Sequence, residues 1–270
     1  KDYAVAFSIP VNTPGVKLIA SPFGFTGHSQ YHHPVSSRHH LVETLTIFDN
    51  VFVPNDRVFM AGEWEFAGVL ANTFVEFHRF TAVSYKPPLL DLLIGAASLI
   101  AVYNGIEKAS HVRDKATRLI TYVETVRALT RAAAMDCHVI DGIAVPDTMT
   151  TNIAKHYFAN HYHEAVRDVQ DIAGGLVVTG PSEADWHNPE TRDDLDRYLG
   201  GRKGIPTMDR MKAINLIRDL TASDFGGYHE LLAIHAEGSL EAQKITIFRG
   251  YDLVRCINLA KKAAGIEGGV

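Results

Sequence analysis

The chain has 270 residues, of which 46% are hydrophobic and 21% charged, and a net charge of −5. That is enough apolar material for one large domain, or a small domain packed on a large one, and it excludes disorder, collagen-like repeats and low complexity. The acidic balance gives no footprint for a nucleic-acid partner, and two distant cysteines, Cys137 and Cys256, make no disulfide framework and suit a reducing, cytoplasmic compartment.

The first 60 residues read as β. Tyr3 to Ile9, Val16 to Ala20, Leu41 to Phe48 and Val51 to Phe59 are rich in Val, Ile, Phe and Thr, and Pro and Gly punctuate them. Thr44, Thr46 and Phe48 alternate with Leu45 and Ile47, as on a half-buried strand. The chain opens on Lys1-Asp2 and a strand-like run without Met, so it reads as the C-terminal portion of something longer.

From about residue 62 the apolar period becomes helical. Glu63 to Ser84 carries an i, i+3, i+4 stripe, and Pro87-Pro88 starts a second helix that Gly105 stops. A third helix is expected from Ile106 to Cys137. After a turn at Asp141-Gly142 and Pro146-Asp147, a fourth runs from Thr150 to Ala173, ended by Gly174-Gly175. Residues 181–204 read as polar and turn-rich, and further helices are expected over Thr207 to Ala222, Gly226 to His235 and Leu240 to Ala264. The most apolar run, Leu89 to Tyr103, is broken by Asp91 and Ser98 and is too short to cross a bilayer, so no membrane partner is expected. The fold class is α+β, mainly α: the end of a β-domain over residues 1–60 and a helical bundle over residues 61–270.

Histidines cluster at His28, His32, His33, His39 and His40, and again at His156, His161 and His163. No sequence pattern fixes three or four converging ligands, so packing or surface roles are expected for these histidines and no metal site. The loop around Ser36, Ser37 and Arg38 joins strands and carries donors fit to line a pocket. No Gly-x-Gly-x-x-Gly, Walker loop or Gly-x-Ser-x-Gly elbow occurs. Gln170 stands one turn before Gly174-Gly175, a corner that can grip a pyrophosphate or simply end a helix. Gly238-Ser239 precedes Leu240-Glu241 where a helix starts; its free amides and dipole favour an anion, although an ordinary capped helix looks the same.

Several runs, in order, resemble one family. Asp2 to Phe7, His33 to Arg38, Phe48 to Pro54, Asp171 to Leu176 and Gly238 to Gln243 are similar to the 4-hydroxyphenylacetate 3-hydroxylase family, which includes two-component aromatic monooxygenases and 4-hydroxybutyryl-CoA dehydratase/vinylacetyl-CoA isomerase. The resemblance implies an acyl-CoA-dehydrogenase-like fold, a homotetramer and FAD as cofactor. It assigns Glu237, Gly238, Ser239 and Leu240 to a C-terminal FAD contact, and Gln170, Gly174 and Gly175 to a segment holding FAD across a subunit interface. Ser36, Ser37 and Arg38 fall near the active-site mouth. No catalytic acid or base is singled out.

The dehydratase branch needs an iron–sulfur cluster with a His and a Cys seven residues apart. The corresponding positions match Thr121 and Ala128, and no His-x6-Cys occurs in the chain. The expected function is therefore an FADH2-using phenol monooxygenase, acting on an aromatic substrate with O2 and a flavin reductase, and without an iron–sulfur cluster. The alternatives are a CoA-ester dehydratase/isomerase and a non-catalytic oligomerisation module.

Overall fold

A computed structural model describes residues 3–21, 29–39, 42–236 and 238–267. The β region forms β1 (Val5–Phe7), β2 (Val16–Ala20), β3 (Thr44–Phe48) and β4 (Val58–Ala61), paired antiparallel as β1 with β4 and β2 with β3. These ladders bury little. Leu45 is 63% exposed, so the strand expected to be half-buried shows its apolar side to solvent. The strand expected from Val51 begins only at Val58, because Pro54 leads into a single 3-10 turn over Asn55–Arg57.

The helices carry the core. α1 (Ala67–Ser84) leads into α2 (Lys86–Asn104), where Pro87 and Pro88 occupy first-turn positions that need no donor. Gly105 closes α2 in the left-handed region at φ 72°, and its N–H caps the carbonyls of Ala101 and Val102. α3 (Ser110–Met135) and α4 (Thr148–Ala173) form the longest pair. Between them β5 (His138–Ile140) and β6 (Ile143–Val145) make a hairpin where only a turn was expected. Asp141 and Gly142 both have positive φ, the requirement of a two-residue hairpin turn.

α5 (Leu176–Thr179), α6 (Glu183–His187) and α7 (Arg192–Tyr198) follow, the last two inside the stretch read as turn-rich. Their shortness hides the helical period, although Ser182 and Asp185 form a capping box. α8 (Thr207–Thr221) and α9 (Asp224–His235) complete the packed bundle. The last expected helix is two, α10 (Leu240–Gly250) and α11 (Leu253–Ala264), with extended Tyr251 and the N-cap Asp252 between them.

α4 is the axis, with Phe158, Tyr162, Val166, Val169 and Ile172 buried between α2, α3 and α8. Arg118 on α3 clamps the buried Asp168 of α4 through two bonds of 2.9 and 2.8 Å, a fork-to-carboxylate geometry. The stretch Trp64–Asn104 contains a window of mean hydropathy 1.4, long and apolar enough by composition to cross a membrane, contrary to the expectation from Leu89–Tyr103. In the bundle Leu90, Leu93 and Ile100 of α2 are core, while Leu99 and Val102 are exposed.

Candidate functional site

One buried face of α4 changes from aliphatic to polar towards its N-terminus. Asn152, Lys155 and Phe158 follow at three-residue intervals, so they stack along one side, with Tyr162 a turn beyond. Asn152, Lys155, Phe158 and Tyr162 are all almost wholly buried. Lys86, at the start of α2, is 1% exposed and lies over the rings of Tyr85 and Phe158; its Nζ donates to the Tyr85 hydroxyl at 3.2 Å. Lys155 Nζ donates to the carbonyl of Ala233 on α9. Two ammonium groups thus flank one phenyl ring, a setting in which cation–π attraction offsets part of their desolvation.

Arg79, near the end of α1, is the third buried cation. Its Nη1 donates to Asn152 Oδ1 at 2.6 Å and to Thr246 Oγ1 at 3.4 Å, both neutral acceptors. Its Nε is buried with no hydrogen-bond partner among the described residues. Burial pulls the guanidinium below its ordinary pKa. His229 on α9 faces the same region. Burial first, and the charge of Lys86 second, lower its pKa to about 4, so it is neutral at physiological pH.

The turn Gly238–Leu240 lies against this cluster. Gly238 has φ +95°, and a Cβ there would stand 3.0 Å from Arg79 Nη2 and 3.3 Å from Nε. Ser239 caps α10 by accepting from the N–H of Ala242 at 3.2 Å. Gln243, fully buried, donates to the Gly238 carbonyl at 3.1 Å and ties the turn to the bundle. Glu237 lies outside the described residues.

The second expected segment lies at the other end of α4. Gln170 donates its amide to the carbonyl of Thr221 on α8 at 2.8 Å, so this donor joins helix to helix. Gly174, at φ +83° and ψ −178°, and Gly175 are both open: a Cβ on either would meet nothing within 4 Å. With Arg167, Val178 and Ala222 they line an open cleft of about 440 Å³. Along α4 this corner is about 27 Å from Asn152, at about 1.5 Å per residue. The structure therefore keeps the two segments apart within one chain.

The loop of Ser36, Ser37 and Arg38 docks on the same end of α8. Asp219, wholly buried, accepts from the N–H groups of Val35 and Ser36, both at 2.8 Å, and from the Ser36 hydroxyl at 2.6 Å. His33 Nδ1 lies 3.3 Å from the same carboxylate, and His32 Nε2 accepts from the N–H of Glu183 at 3.1 Å. The side chain of Ser36 thus anchors the loop, whereas Arg38 is exposed and donates to Gln30 at 3.2 Å. The Ser37 hydroxyl is buried with no hydrogen-bond partner among the described residues.

His156, His161 and His163 do not converge. His161 Nδ1 bonds the Tyr157 carbonyl of its own helix, and His163 is exposed. Thr121 and Ala128 occupy exposed positions on α3, and His28 and His40 lie outside the described residues. Among the described residues no group of three or more His, Cys, Asp or Glu is arranged to hold a metal ion. The buried Arg79, Lys86 and Lys155 were missed in the sequence; the one available signal was basic residues at otherwise apolar positions of helical stripes.

A family model described as 4-hydroxyphenylacetate 3-hydroxylase C terminal matches residues 67–265, and its N-terminal counterpart matches residues 1–60. The 4-hydroxybutyryl-CoA dehydratase/vinylacetyl-CoA-Δ-isomerase of Clostridium aminobutyricum is 32% identical over 99% of this chain and 57% of its own length. An oxygen-tolerant archaeal 4-hydroxybutyryl-CoA dehydratase from N. maritimus superposes with TM-score 0.92 at 36% identity, covering the whole chain and 54% of that protein. The oxygenase component of 4-hydroxyphenylacetate 3-monooxygenase, complexed with FAD and 4-hydroxyphenylacetate, superposes with TM-score 0.88 at 28% identity, over 97% of this chain and 56% of that one. The chain thus spans little more than half the length of these proteins.

Proposed function

Because the chain belongs to the 4-hydroxyphenylacetate 3-hydroxylase family, we propose that it serves an FADH2-dependent aromatic monooxygenase as the helical part that holds the flavin. The observation that carries this reading is the turn at Gly238: a glycine in the left-handed region, seated against an arginine whose Nε is buried and unspent. That pairing fits a phosphate-bearing cofactor beside the free amides of α10. Bound there, the flavin supplies the O2 chemistry that hydroxylates a phenol, with reduced FAD delivered by a separate reductase.

The chain's own residues bind, orient and exclude water. Gln243 and Ser239 fix the turn, while Lys86, Lys155 and Phe158 line the adjoining interior. Gln170, Gly174 and Gly175 lie too far along α4 to join Gly238 on one cofactor in one chain, so we assign them to a flavin bound mainly by a second copy. Apolar side chains on α1 (Leu70, Phe74, Phe77) and α11 (Val254, Ile257, Leu259) are exposed in the single chain and suit burial in a homotetramer. The exposed Cys137 and half-buried Cys256 are free thiols, in keeping with a cytoplasmic location.

The test is an absorbance spectrum, iron assay and oxygen-uptake measurement on protein purified anaerobically. FAD binding without iron, and O2 consumption when reduced FAD and a phenol are supplied, is the expected result. Stoichiometric iron with the broad thiolate-to-iron absorbance of a cluster would reverse it. A second reading, a 4-hydroxybutyryl-CoA dehydratase-like enzyme, is favoured by the similarity to such proteins over the whole chain, and that iron result would establish it.

A further inference from the structure

We propose that the free edge of Arg79 and the first turn of α10 form an oxyanion-binding site that takes a phosphate of the flavin dinucleotide. The proposal rests on the flavin reading of the 238–240 turn and adds to it a side chain from a different helix.

Arginine binds oxyanions through the parallel N–H groups of Nε and one Nη. In Arg79 the other nitrogen, Nη1, is anchored by Asn152 and Thr246, which fixes the plane of the guanidinium and leaves the Nε–Nη2 edge for a ligand. The side chain is 5% exposed and both its side-chain partners are neutral. A buried cation held only by neutral groups is costly until an anion reaches it.

Gly238 stands in front of that same edge. A Cβ at this position would press on Nη2 and Nε, so the glycine keeps the fork open as well as making the turn. Behind it, the N–H groups of Ala242 and Gln243 are taken by Ser239, through its hydroxyl and carbonyl respectively. The amides of Leu240 and Glu241 belong to the first turn, whose N–H groups have no acceptor within their own helix. Glu241, the acid in this turn, is exposed and paired with Lys244 at 2.5 Å, so its charge is partly balanced. The site therefore combines a fixed cationic fork from α1 with helix-terminal donors from α10.

Isothermal titration of the purified chain with FAD, riboflavin, inorganic pyrophosphate and 4-hydroxyphenylacetate tests it. Arg79→Gln is expected to weaken FAD and pyrophosphate roughly 10- to 100-fold, the range for hydrogen bonds to a charged group. Riboflavin, which has no phosphate, is expected to bind both proteins alike. Equal affinity of wild type and Arg79→Gln for FAD and pyrophosphate would overturn the proposal. So would loss of 4-hydroxyphenylacetate binding with pyrophosphate binding retained, which assigns the fork to a carboxylate. Pyrophosphate binding that Arg79→Gln abolishes, in a chain that takes no FAD, sustains the oxyanion site and removes the flavin reading instead. Should Arg79→Gln fail to fold, Arg79→Lys keeps the charge without the fork, and Gly238→Ala keeps the arginine but crowds it. Both are expected to weaken pyrophosphate at least several-fold, and wild-type affinity in both overturns the assignment.

Discussion

Asp219 is the residue on which the loop of residues 33–38 depends. Its carboxylate answers two backbone N–H groups and the Ser36 hydroxyl in a fully buried position. Asp219→Ala strands those donors and is expected to cost about 3 kcal/mol, against about 1 kcal/mol for Ser36→Ala, measured by urea unfolding. His229 gives a pH prediction at the same scale. Its folded pKa, about 4, lies below the ordinary histidine value, so the folded state disfavours its protonation. Stability is therefore full above about pH 6.5 and declines as pH falls towards 4. His229→Gln is expected to flatten that decline between pH 6.5 and 5, in unfolding curves taken at several pH values; an unchanged slope counts against the buried neutral imidazole. The donors around Ser36 were legible in the sequence, but not their direction, because a loop's side chains turn towards whichever buried charge the fold supplies. Nothing local to Ser36 announces Asp219, which lies far along the chain.

At the scale of elements, the C-terminal end of α8 holds two things at once. Asp219 fastens the 33–38 loop, and the Thr221 carbonyl takes the amide of Gln170. α9 is pressed against this same turn: a Cβ on Gly226 would stand 2.7 Å from the backbone nitrogen of Thr221. Backbone cannot yield as a flexible side chain can, so Gly226→Ala is expected to lose about 2 kcal/mol in chemical denaturation, within the usual range for overpacking. The long helices were readable because their stripes persist over many turns and because Pro87-Pro88, Gly105 and Gly174 mark their ends. α6 and α7 were not, being too short to show a period. The break between α10 and α11 was missed for a different reason: Asp252 is an N-cap whose acceptor role, on the N–H of Arg255, appears only once the backbone turns there.

The whole molecule separates what the sequence placed in one functional class. Gly174-Gly175 and Gly238–Leu240 sit towards opposite ends of α4, and the assembly proposed above would bring one to the other across a second copy. Mixed oligomers made from Gly174→Val and Gly238→Val chains are accordingly expected to regain FAD sites that neither variant has alone, counted by flavin absorbance. No recovery would place the two segments on separate ligands. α11 buries none of its residues in the single chain, so ending the chain after Tyr251 is expected to leave the unfolding midpoint nearly unchanged. The same truncation is expected to lower the sedimenting mass, and retention of full assembly would exclude α11 from the interface. The bundle was legible as a whole from its apolar periodicity. The basic residues within it were not, since a lysine or arginine in an amphipathic stripe ordinarily reads as solvated surface.

Were FAD to bind at Arg79, cofactor supply would also bear on the stability of the protein. Among the described residues, the buried Arg79 has an amide and a hydroxyl as its side-chain partners. Anything that binds the folded state and not the unfolded one draws the population towards the fold in proportion to its saturation. If FAD binds at this site, loaded chains are expected to resist limited proteolysis better than unloaded ones, measured by digestion with and without FAD.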